Sequence, residues 1–403
     1  MEILFYRYNS ICEPDIMQVF TSFGITVHTE DMEITDKHVT PAQCSQKVTE
    51  WIVGHPLAFV FSINFFPAIS YTCNHFKVPY VCWRVDSPVA ELFSNALKNE
   101  WNRIFLFDRA QYEFFHPYNP DNIYYLPLAT NVNRLEKVIL DMTDADFQKY
   151  DSDVVFVGSL YSEKCRYDEL LKNPSLAASP ISSYTQGYVE GLIQAQMKVS
   201  GYNLIYESLP ERVIQEIASA DPNFYKGEDV FMDTDRYLSA HQYIGMKLAN
   251  VERESILSAL SERFDVALYT HSDTSGLPKV RNMGGANTLT EMPKIFHAGK
   301  INLNITMRPI ETGLSLRIWD VLGCGGFLIS NYQAELPEYF EIGKDLEIYE
   351  NINDLIGKSD YYLHHDAERM EIALNGYEKV AKYHTYEMRL AEMIHILGSG
   401  IST

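Results

Sequence analysis

The chain has 403 residues, 46% of them hydrophobic and 22% charged, and a formal net charge of −21 at pH 7. Its length predicts two domains, because a single core rarely serves more than about 250 to 300 residues. The negative charge argues against a nucleic-acid partner and against binding to anionic lipid by charge alone. No apolar run is long enough to span a bilayer, and the chain enters a strand-like segment at once, so we expect no transmembrane segment and no signal peptide.

The six cysteines are scattered along the chain, and none belongs to a CxxC pair. Several lie in apolar segments, which predicts buried free thiols in a reducing compartment rather than a disulfide framework. We therefore expect a cytoplasmic protein. The composition leaves its oligomeric state open.

The first 130 residues alternate between apolar strand-like and helix-like segments, which is typical of βαβ units in a parallel sheet. Ligands of such sheets bind outside the carboxyl ends of the strands. The predicted strands are Ile3–Tyr6, Ile25–His28, Ala58–Ser62, Tyr80–Trp83, Ile104–Phe107 and Ile123–Leu126. The predicted helices lie near Pro14–Phe23, Ala42–Val53, Val89–Lys98 and Arg109–Phe115. The polar stretch Asn131–Ser152 then indicates a linker.

A second alternating region begins at Asp153–Val157, a strand that Gly158 and Ser159 follow. Residues 160–262 indicate a helical elaboration of this second domain. The predicted strands resume at Val266–Tyr269, Ile301–Ile305, Phe327–Ile329 and Leu346–Tyr349. Residues 366–397 predict two helices that break near His384. The predicted fold class is therefore α/β.

Residues 300–331 carry the strongest local signal for a ligand site. An apolar strand runs into a polar turn with Arg308 and Gly313, and a short helix and a second strand follow. This order presents a helix N-terminus to a phosphate group, and the glycine lets the turn approach the phosphate closely.

The short helix places three polar residues near that N-terminus. Ser315 is the predicted N-cap, Arg317 lies in the first turn, and Asp320 lies one turn later on the same face. A cation at a helix N-terminus opposes the macrodipole, and an anionic ligand would remove that conflict. An anion seat, a cation and a carboxylate suit a nucleoside diphosphate joined to a sugar. An ordinary αβ connection with a solvated arginine is the alternative.

Eight segments, spread over nearly the whole chain, resemble bacterial glycosyltransferases of the GT-B fold, specifically the group similar to the CgeB spore-maturation proteins. They are FSINFFPAIS (61–70), VPYVCWRVDSP (78–88), IFLFD (104–108), YLPLAT (125–130), DVVFVGSLYSE (153–163), GYVEGLIQAQMKVSGYN (187–203), INLNITMRPIETGLSLRIWDVLGCGGFLISN (301–331) and YYLHHDAERMEIALNGYEKVAKYHTYEMRL (361–390). The resemblance implies two Rossmann-like domains facing a cleft. It implies an acceptor domain over residues 1–150, a nucleotide-sugar domain over 151–385 with a helical insertion at about 160–262, and a helix over 386–403 that crosses back to the first domain.

Glycosyl transfer expels a diphosphate, so its site needs fixed donors aimed at the growing negative charge. The candidates are Arg308, Ser315, Arg317 and the amides of Gly158 and Ser159. GT-B enzymes generally use such donors where other glycosyltransferases use a metal. The sequence has no HExxH motif and no Cys/His cluster. We therefore predict no catalytic metal and no cofactor, the nucleotide-sugar being a co-substrate.

The resemblance adds the rest of the donor site. It implies that Tyr269 and His271 lie at the base, Gly313 at the phosphates, Thr312 at the sugar and Asp320 at the ribose. For Tyr269 the alternative is an ordinary core tyrosine. Related retaining enzymes carry two glutamates eight residues apart, and Asp320 fits the second. At the first position stands Thr312, with Glu311 displaced by one residue. Either the loop is one residue longer and Glu311 reaches the sugar, or Thr312 and backbone amides replace it.

Three polar residues end or follow strands of the first domain. Asn64, Asp86 and Asp108 are candidates for contact with acceptor hydroxyls, and Asp86 is also a candidate base. The alternatives are a satisfied turn amide for Asn64 and helix caps or turn residues for the two aspartates.

These observations predict a glycosyltransferase that moves a hexose or N-acetylhexosamine from a nucleoside-diphosphate sugar, with UDP as the expected nucleotide, to a surface-glycan or protein acceptor. Family analogy alone implies retention. The catalytic candidates are Asp86, Glu311 and Arg317. Two alternatives are a non-catalytic surface-assembly or binding protein of the same fold and a sugar-nucleotide epimerase. The sequence leaves the sugar, the acceptor and the linkage open.

Overall fold

The computed structural model describes residues 1–36, 38–225, 227 and 229–400, with the backbone alone at 399 and 400. The chain divides into two compact units. The first comprises Met1–Asn131, Gly227–Met232 and His384–Thr403, and the second comprises Val132–Lys226 and Asp233–Tyr383. Each unit contains a six-stranded parallel sheet with helices around it, which confirms the predicted α/β class. Among the described residues, no helix combines the length and the apolar character that a membrane span needs.

The strands of the described chain form two parallel sheets, one in each unit. They are β1 (Glu2–Tyr6), β2 (Thr26–Glu30), β3 (Leu57–Ile63), β4 (Tyr80–Trp83), β5 (Asn102–Leu106), β6 (Ile123–Tyr125), β7 (Val154–Val157), β8 (Val266–Tyr269), β9 (Arg281–Asn282), β10 (Ile301–Asn304), β11 (Leu328–Asn331) and β12 (Glu347–Tyr349). The strand order is β2-β1-β3-β4-β5-β6 in the first sheet and β12-β11-β10-β7-β8-β9 in the second. The order reverses between β1 and β3 and between β7 and β10. Ligands of open α/β sheets bind at such switch points, outside the carboxyl ends of the strands.

Local signals start several of the helices. Thr40 and Gln43 form a capping box at one N-terminus, and Thr143 and Asp146 form a second, so that both satisfy free backbone amides of the first turn. The α-helices of the described chain are α1 (Glu13–Ser22), α2 (Met32–Thr35), α3 (Pro41–Gly54), α4 (Pro67–Phe76), α5 (Arg109–Phe115), α6 (Val132–Leu140), α7 (Asp144–Tyr150), α8 (Arg166–Lys172), α9 (Ser183–Gln196), α10 (Ile205–Ser208), α11 (Glu211–Ala220), α12 (Asp235–Leu238), α13 (Gly245–Ser261), α14 (Met292–Ala298), α15 (Leu316–Gly323), α16 (Leu336–Tyr339), α17 (Ile352–His364), α18 (Asp366–Tyr383) and α19 (Tyr386–Gly400).

The predicted helix Val89–Lys98 is wrong, because this segment forms two 3₁₀ turns. Its backbone bonds to a segment far along the chain, which also belongs to the first unit. The Asn95 N–H donates to the Asp229 carbonyl at 3.0 Å, and the Phe231 N–H donates to the Phe93 carbonyl at 3.0 Å. These long-range bonds compete with a helical ladder in a way that the local pattern does not reveal.

The predicted linker Asn131–Ser152 is also wrong, because it contains α6 and α7. Both helices pack against α14 of the second unit. Arg134 donates to the Leu289 carbonyl at 3.0 Å, and Lys294 forms an ion pair of 3.1 Å with Asp146. Residues 132–150 therefore lie in the second unit, whereas the sequence analysis placed them in the first. The sequence analysis also missed α4 and the short strand β9.

The C-terminal helix α19 belongs to the first unit, where it packs against α1. Its first residue, Tyr386, donates a backbone N–H to the Thr130 carbonyl at 3.1 Å and sets its ring against the edge of Trp83. Arg389 Nε donates to the Pro127 carbonyl at 3.0 Å. The predicted break between two helices near residue 384 is confirmed.

The helical segment between β7 and β8 is held by a buried carboxylate. Asp221 accepts two hydrogen bonds from the Arg166 guanidinium, at 2.6 and 2.8 Å, and one from the Tyr243 hydroxyl at 2.8 Å. These contacts, of which that with Arg166 is the largest, lower the pKa of Asp221 to about 2.

All six cysteines are buried free thiols, as predicted.

Two glycines inside helices lead to opposite predictions about stability. A Cβ at Gly376 in α18 would lie 2.3 Å from the Asp345 carbonyl oxygen, whereas a Cβ at Gly357 in α17 would meet nothing within 4 Å. We expect Gly376→Ala to lower the free energy of unfolding by about 2 kcal/mol through overpacking. We expect Gly357→Ala to raise it by about 0.5 to 1 kcal/mol, since alanine favours a helix. Urea unfolding of both variants checks this, and shifts of the same sign would contradict it.

Candidate functional site

A buried arginine joins the two strand ends at the switch point of the second sheet. Arg253 of α13 donates from Nη1 to the carbonyl of Ser159, which follows β7, and from Nη2 to the carbonyl of Ile305, which follows β10, at 2.8 Å. Its guanidinium carbon lies 5.2 Å from the centre of the Phe156 ring and 4.5 Å from that of Tyr161. Burial lowers the pKa of Arg253. The sequence analysis missed this residue, because nothing in an amphipathic helix marks one arginine as buried.

The turn after β7 is held by a backbone bond to β8 and by its own side chains. The Gly158 N–H donates to the Tyr269 carbonyl at 3.0 Å. The Ser159 hydroxyl donates to Glu163 at 2.6 Å and accepts the Tyr161 N–H at 2.8 Å. The predicted donor residues 158 and 159 therefore lie in the turn at the switch point, where the Gly158 amide is already bonded to Tyr269.

Ser315 occupies the N-cap position of α15, as predicted, but its side chain does not cap the helix. The hydroxyl instead donates to Asn304 Oδ1 at 3.3 Å and lies 3.4 Å from the Thr306 hydroxyl. The capping interpretation is therefore wrong, because a polar side chain of the preceding strand takes the hydroxyl. The N-terminus of α15 keeps its positive dipole end without this serine oxygen on it.

Arg317 lies in the first turn of α15, and Asp320 follows one turn later, as predicted. Their closest charged atoms are 3.7 Å apart, with 22% of the arginine side chain exposed and 9% of the aspartate. The guanidinium carbon lies 5.1 Å from the Phe296 ring centre, and Nη1 contacts the Met292 sulfur. Burial lowers the pKa of Arg317, an effect that Asp320 opposes. Arg317 is thus a partly exposed cation beside the helix N-terminus.

The helical insertion holds Arg308 and the turn that carries it. Arg308 forms an ion pair of 2.9 Å with Glu252, and both side chains are about nine-tenths buried. Asn203 donates to the Arg308 carbonyl at 3.2 Å. Gly245 lies against Pro309, since a Cβ at Gly245 would come within 2.8 Å of that ring. The charge of Arg308 is therefore already compensated by Glu252, whereas Arg317 lies in the first turn of α15.

The two candidate positions for the first glutamate differ in the structure. Glu311 is exposed, whereas the Thr312 hydroxyl donates to Glu335 Oε1 at 2.7 Å. The Glu335 N–H in turn donates to the Thr312 carbonyl at 3.2 Å, and only 2% of Glu335 is exposed. Gln333 donates to the Gly313 carbonyl at 3.1 Å. The sequence analysis did not consider Glu335, which brings a buried carboxylate to the turn from beyond β11. The roles of Glu311 and Thr312 stay predictions.

The predicted base-binding residues lie at the end of β8. Burial raises the pKa of Tyr269 to about 12, and its ring lies 6.5 Å from that of Tyr150. His271 is exposed and covers Gly285, where a Cβ would lie 2.0 Å from the imidazole ring. A side chain at residue 285 would displace this imidazole ring from its place.

Three polar side chains meet at the carboxyl ends of β1, β3 and β4 in the first unit. Asn64 donates to Asp86 Oδ2 at 2.7 Å and to the Tyr8 hydroxyl at 2.8 Å, and Tyr8 donates to the same carboxylate oxygen at 3.2 Å. Asn64 holds a left-handed backbone, with φ of +59°. Asp86 is exposed, whereas burial and then Asp86 raise the pKa of Tyr8. The structure thus groups Asn64 and Asp86, and it adds Tyr8, which the sequence analysis missed.

Asp108 does not belong to this group of exposed side chains. It is fully buried and occupies the N-cap of α5, where Oδ1 accepts the Ala110 N–H at 3.1 Å. The helix-cap alternative therefore describes the contact that Asp108 makes. The backbone of Asp86, by contrast, is fixed by fully buried Arg84, which donates from Nε to the Asp86 carbonyl at 2.7 Å.

No three His, Cys, Asp or Glu side chains are grouped as metal ligands among the residues that the structure describes. Metal independence stays a prediction. The diphosphate candidates of the second unit are the amides of Gly158 and Ser159, the Ser315 hydroxyl and the cations Arg308 and Arg317, which are groups that stabilise a phosphate directly.

Residues 253–395 match a family model described as Glycosyl transferase-like. Sucrose-phosphate synthase from Thermosynechococcus elongatus shares 9% identity with a TM-score of 0.52, over 100% of this chain and 99% of that chain. A glycosyltransferase from Rickettsia africae ESF-5 shares 12% identity with a TM-score of 0.51, over the same shares of the two chains. The fold is GT-B. Identities this low show the fold alone.

A third structure of the GT-B fold, Anabaena HepE in complex with UDP-glucose, shares 12% identity with a TM-score of 0.50, over 99% of this chain and 100% of that chain. No curated protein matches the chain in sequence. The predicted GT-B fold is confirmed, and the grouping with the CgeB proteins stays a prediction. The glycosyltransferase-like part of the chain includes Arg253, Arg308, Arg317 and Asp320.

Proposed function

We propose that this chain is a glycosyltransferase that moves a hexose or N-acetylhexosamine from a UDP-sugar to a surface-glycan or protein acceptor, with retention. The observation that carries the proposal is the N-terminus of α15 with partly exposed Arg317 beside it, in a segment that matches the Glycosyl transferase-like model. UDP is the proposed nucleotide because HepE, of the same fold, was solved with UDP-glucose. Retention rests on family analogy. The six buried thiols fit a reducing compartment such as the cytoplasm.

In this proposal the second unit holds the donor. The diphosphate lies at the N-terminus of α15, where the helix dipole and Arg317 stabilise the charge that it gains as it leaves. Ser315 contributes once its hydroxyl turns from Asn304 to the diphosphate. Asp320 contacts the ribose, and Glu311 or Thr312 contacts the sugar. The turn after β7 supplies the Ser159 amide, since the Gly158 amide already donates to the Tyr269 carbonyl. No cofactor and no metal take part, because fixed donors and a cation provide the stabilisation that a divalent ion provides elsewhere.

Two measurements test the proposal. The melting temperature of the purified chain is measured with UDP, GDP, dTDP and CDP and with their common sugar conjugates, in EDTA. A ligand at a hundred times its dissociation constant adds roughly 2.7 kcal/mol to the free energy of unfolding, which is easily seen. UDP-sugars that stabilise the chain are then incubated with glycan and peptide acceptors, and released UDP and the glycosylated product are measured. If no nucleotide raises the melting temperature, the proposed donor site is wrong.

The acceptor site is proposed at the Tyr8–Asn64–Asp86 group of the first unit. We expect Asp86→Asn to slow transfer by roughly 100-fold, because the new amide oxygen still accepts the bonds from Asn64 and Tyr8 but cannot take a proton or hold a charge. The affinity for UDP should not change, since UDP binds to the second unit. Transfer rates and UDP titrations of Asp86→Asn and of Asp31→Asn, a control on the same unit, check this. An unchanged transfer rate would remove Asp86 from the site.

A non-catalytic binding protein of the same fold is the second candidate. Its supporting observation is that Thr312 stands at the position of the first glutamate and that its hydroxyl donates to Glu335. This candidate predicts UDP binding without UDP release from any UDP-sugar, whatever the acceptor. An epimerase would instead convert a free UDP-sugar to its epimer with no acceptor present, which the product analysis of the same reactions detects.

A further inference from the structure

A cavity of about 410 Å³ lies in the second unit, outside the carboxyl ends of β11 and β12. Its walls come from α13, from the chain that follows α9, from Arg308 and from the first residues of α17. Its described lining includes no residue of α15, so the cavity is distinct from the diphosphate site proposed above at the N-terminus of α15. Small-molecule sites have volumes of about 300 to 1,000 Å³, which makes this cavity large enough for one sugar ring.

Three nearly buried side chains of the cavity wall carry polar atoms with no hydrogen-bond partner among the described residues. These atoms are Glu252 Oε2, Arg308 Nε and the Tyr349 hydroxyl. The side chains of Glu252 and Arg308 are 8% and 10% exposed, and Tyr349 is 5% exposed. More than about 90% of buried polar groups are hydrogen-bonded in folded proteins. Such atoms also occur elsewhere among the described residues, but these three share one cavity, in which a ligand would supply the partners.

The charges of the wall select the class of ligand. Glu252 and Arg308 form an ion pair of 2.9 Å, so together they offer an acceptor and a donor with no net charge. Glu350 adds a second carboxylate to the lining, which disfavours a phosphate, and Arg308 disfavours a metal ion. Burial raises the pKa of Tyr349, which keeps its hydroxyl protonated and able both to donate and to accept.

The remaining wall is partly apolar, with Val199, Ile256 and Ile352 among the lining residues. A pyranose has hydroxyl groups around its rim, each of which donates and accepts, and C–H groups on its faces. It therefore satisfies both the unpartnered polar atoms and the apolar side chains of this wall. We propose that the cavity binds the pyranose ring of a sugar. If the ring is that of the UDP-sugar donor, the inference rests on the proposed function. If the ring belongs to a free sugar or to an acceptor glycan, the inference is independent of that function.

The test deletes a single hydroxyl. Tyr349→Phe keeps the ring, and because the Tyr349 oxygen has no described partner, the melting temperature without ligand should stay within about 2 °C of the wild type. Sugar affinity should fall roughly ten-fold, which is the usual effect of one hydrogen bond to a buried group. Tyr167→Phe is the matched control, since its hydroxyl is also buried and unpartnered among the described residues but lies on α8, outside the cavity lining. It should change neither quantity.

Calorimetric titrations of the wild type and both variants separate the two sources of the ring. The probes are UDP, UDP-glucose, UDP-N-acetylglucosamine and the methyl glycosides of glucose, galactose, mannose and N-acetylglucosamine. A donor ring predicts that a UDP-sugar binds more tightly than UDP by a margin that Tyr349→Phe removes. A free or acceptor ring predicts that a methyl glycoside binds and that Tyr349→Phe weakens it roughly ten-fold.

Two results would overturn the proposal: no sugar form binds to the wild type beyond the affinity of UDP, or sugar binding is the same in Tyr349→Phe and the wild type. The titration with UDP alone tests the proposed donor site independently of the sugar cavity. A chain that binds methyl glycosides through Tyr349 but binds no nucleotide would overturn the donor site at α15 and keep the sugar cavity.

Discussion

Arg317→Ala is expected to lower kcat/KM for sugar transfer by roughly 100- to 1,000-fold, the usual effect of removing one fixed donor from a developing negative charge. The guanidinium stands beside the N-terminus of α15, so that the helix dipole and the cation attract the same diphosphate. Its contacts within the protein are with the Met292 sulfur, with Asp320 at 3.7 Å and with the Phe296 ring, whose centre is 5.1 Å away. Each of these is a weak interaction, so we expect the variant to lose about 1 to 2 kcal/mol of stability.

Two controls accompany Arg317→Ala. Arg317→Lys keeps a charge but loses the planar fork, and it should retain an intermediate activity. Arg212→Ala removes an arginine whose side chain is 61% exposed on the helical insertion, and it should leave transfer unchanged. The measurement is kcat/KM for the UDP-sugar together with the UDP dissociation constant of each variant. Wild-type values for Arg317→Ala would contradict the assignment of the diphosphate to this helix.

Arg253→Met is expected to have the largest effect on stability, a loss of about 3 kcal/mol of unfolding free energy. Methionine keeps much of the volume of the side chain but leaves the partly buried carbonyl of Ser159 and the buried carbonyl of Ile305 without their donor. It also removes the cation from the rings of Phe156 and Tyr161. Because the two carbonyls follow the strands at the switch point, the turns that carry the donor-site candidates should loosen, and transfer should weaken as well.

Thermal and urea unfolding of Arg253→Met and Arg263→Met check this expectation. Arg263 follows the same helix and is exposed, so its loss should change the melting temperature very little. A loss of about 3 kcal/mol corresponds to a fall of roughly 6 to 12 °C in the melting temperature of a unit of this size. An Arg253→Met variant as stable as Arg263→Met would show that the bridge between the two strand ends contributes nothing.

The strands were the most predictable part of this fold. Tyr80–Trp83 and Val266–Tyr269 have the predicted bounds, because short apolar runs bounded by turns lie in a sheet whatever packs on it. Helix α4 was missed, since its sequence is rich in β-branched and aromatic residues that lower helix propensity. Its hydrogen-bonded ladder forms because Ile69 and Cys73 are buried in the core.

The amino-acid sequence by itself determined the two parallel sheets and the turn that presents α15, since both follow from periodicity and from neighbours within a few residues. Only the tertiary structure decided which polar groups meet. Arg253 bonds to Ser159 across more than ninety positions, and Asn64 bonds to Tyr8 across more than fifty. The partner of Ser315 and the burial of Glu335 were likewise decided by packing. Such contacts depend on how the elements pack together, and no local rule carries that information.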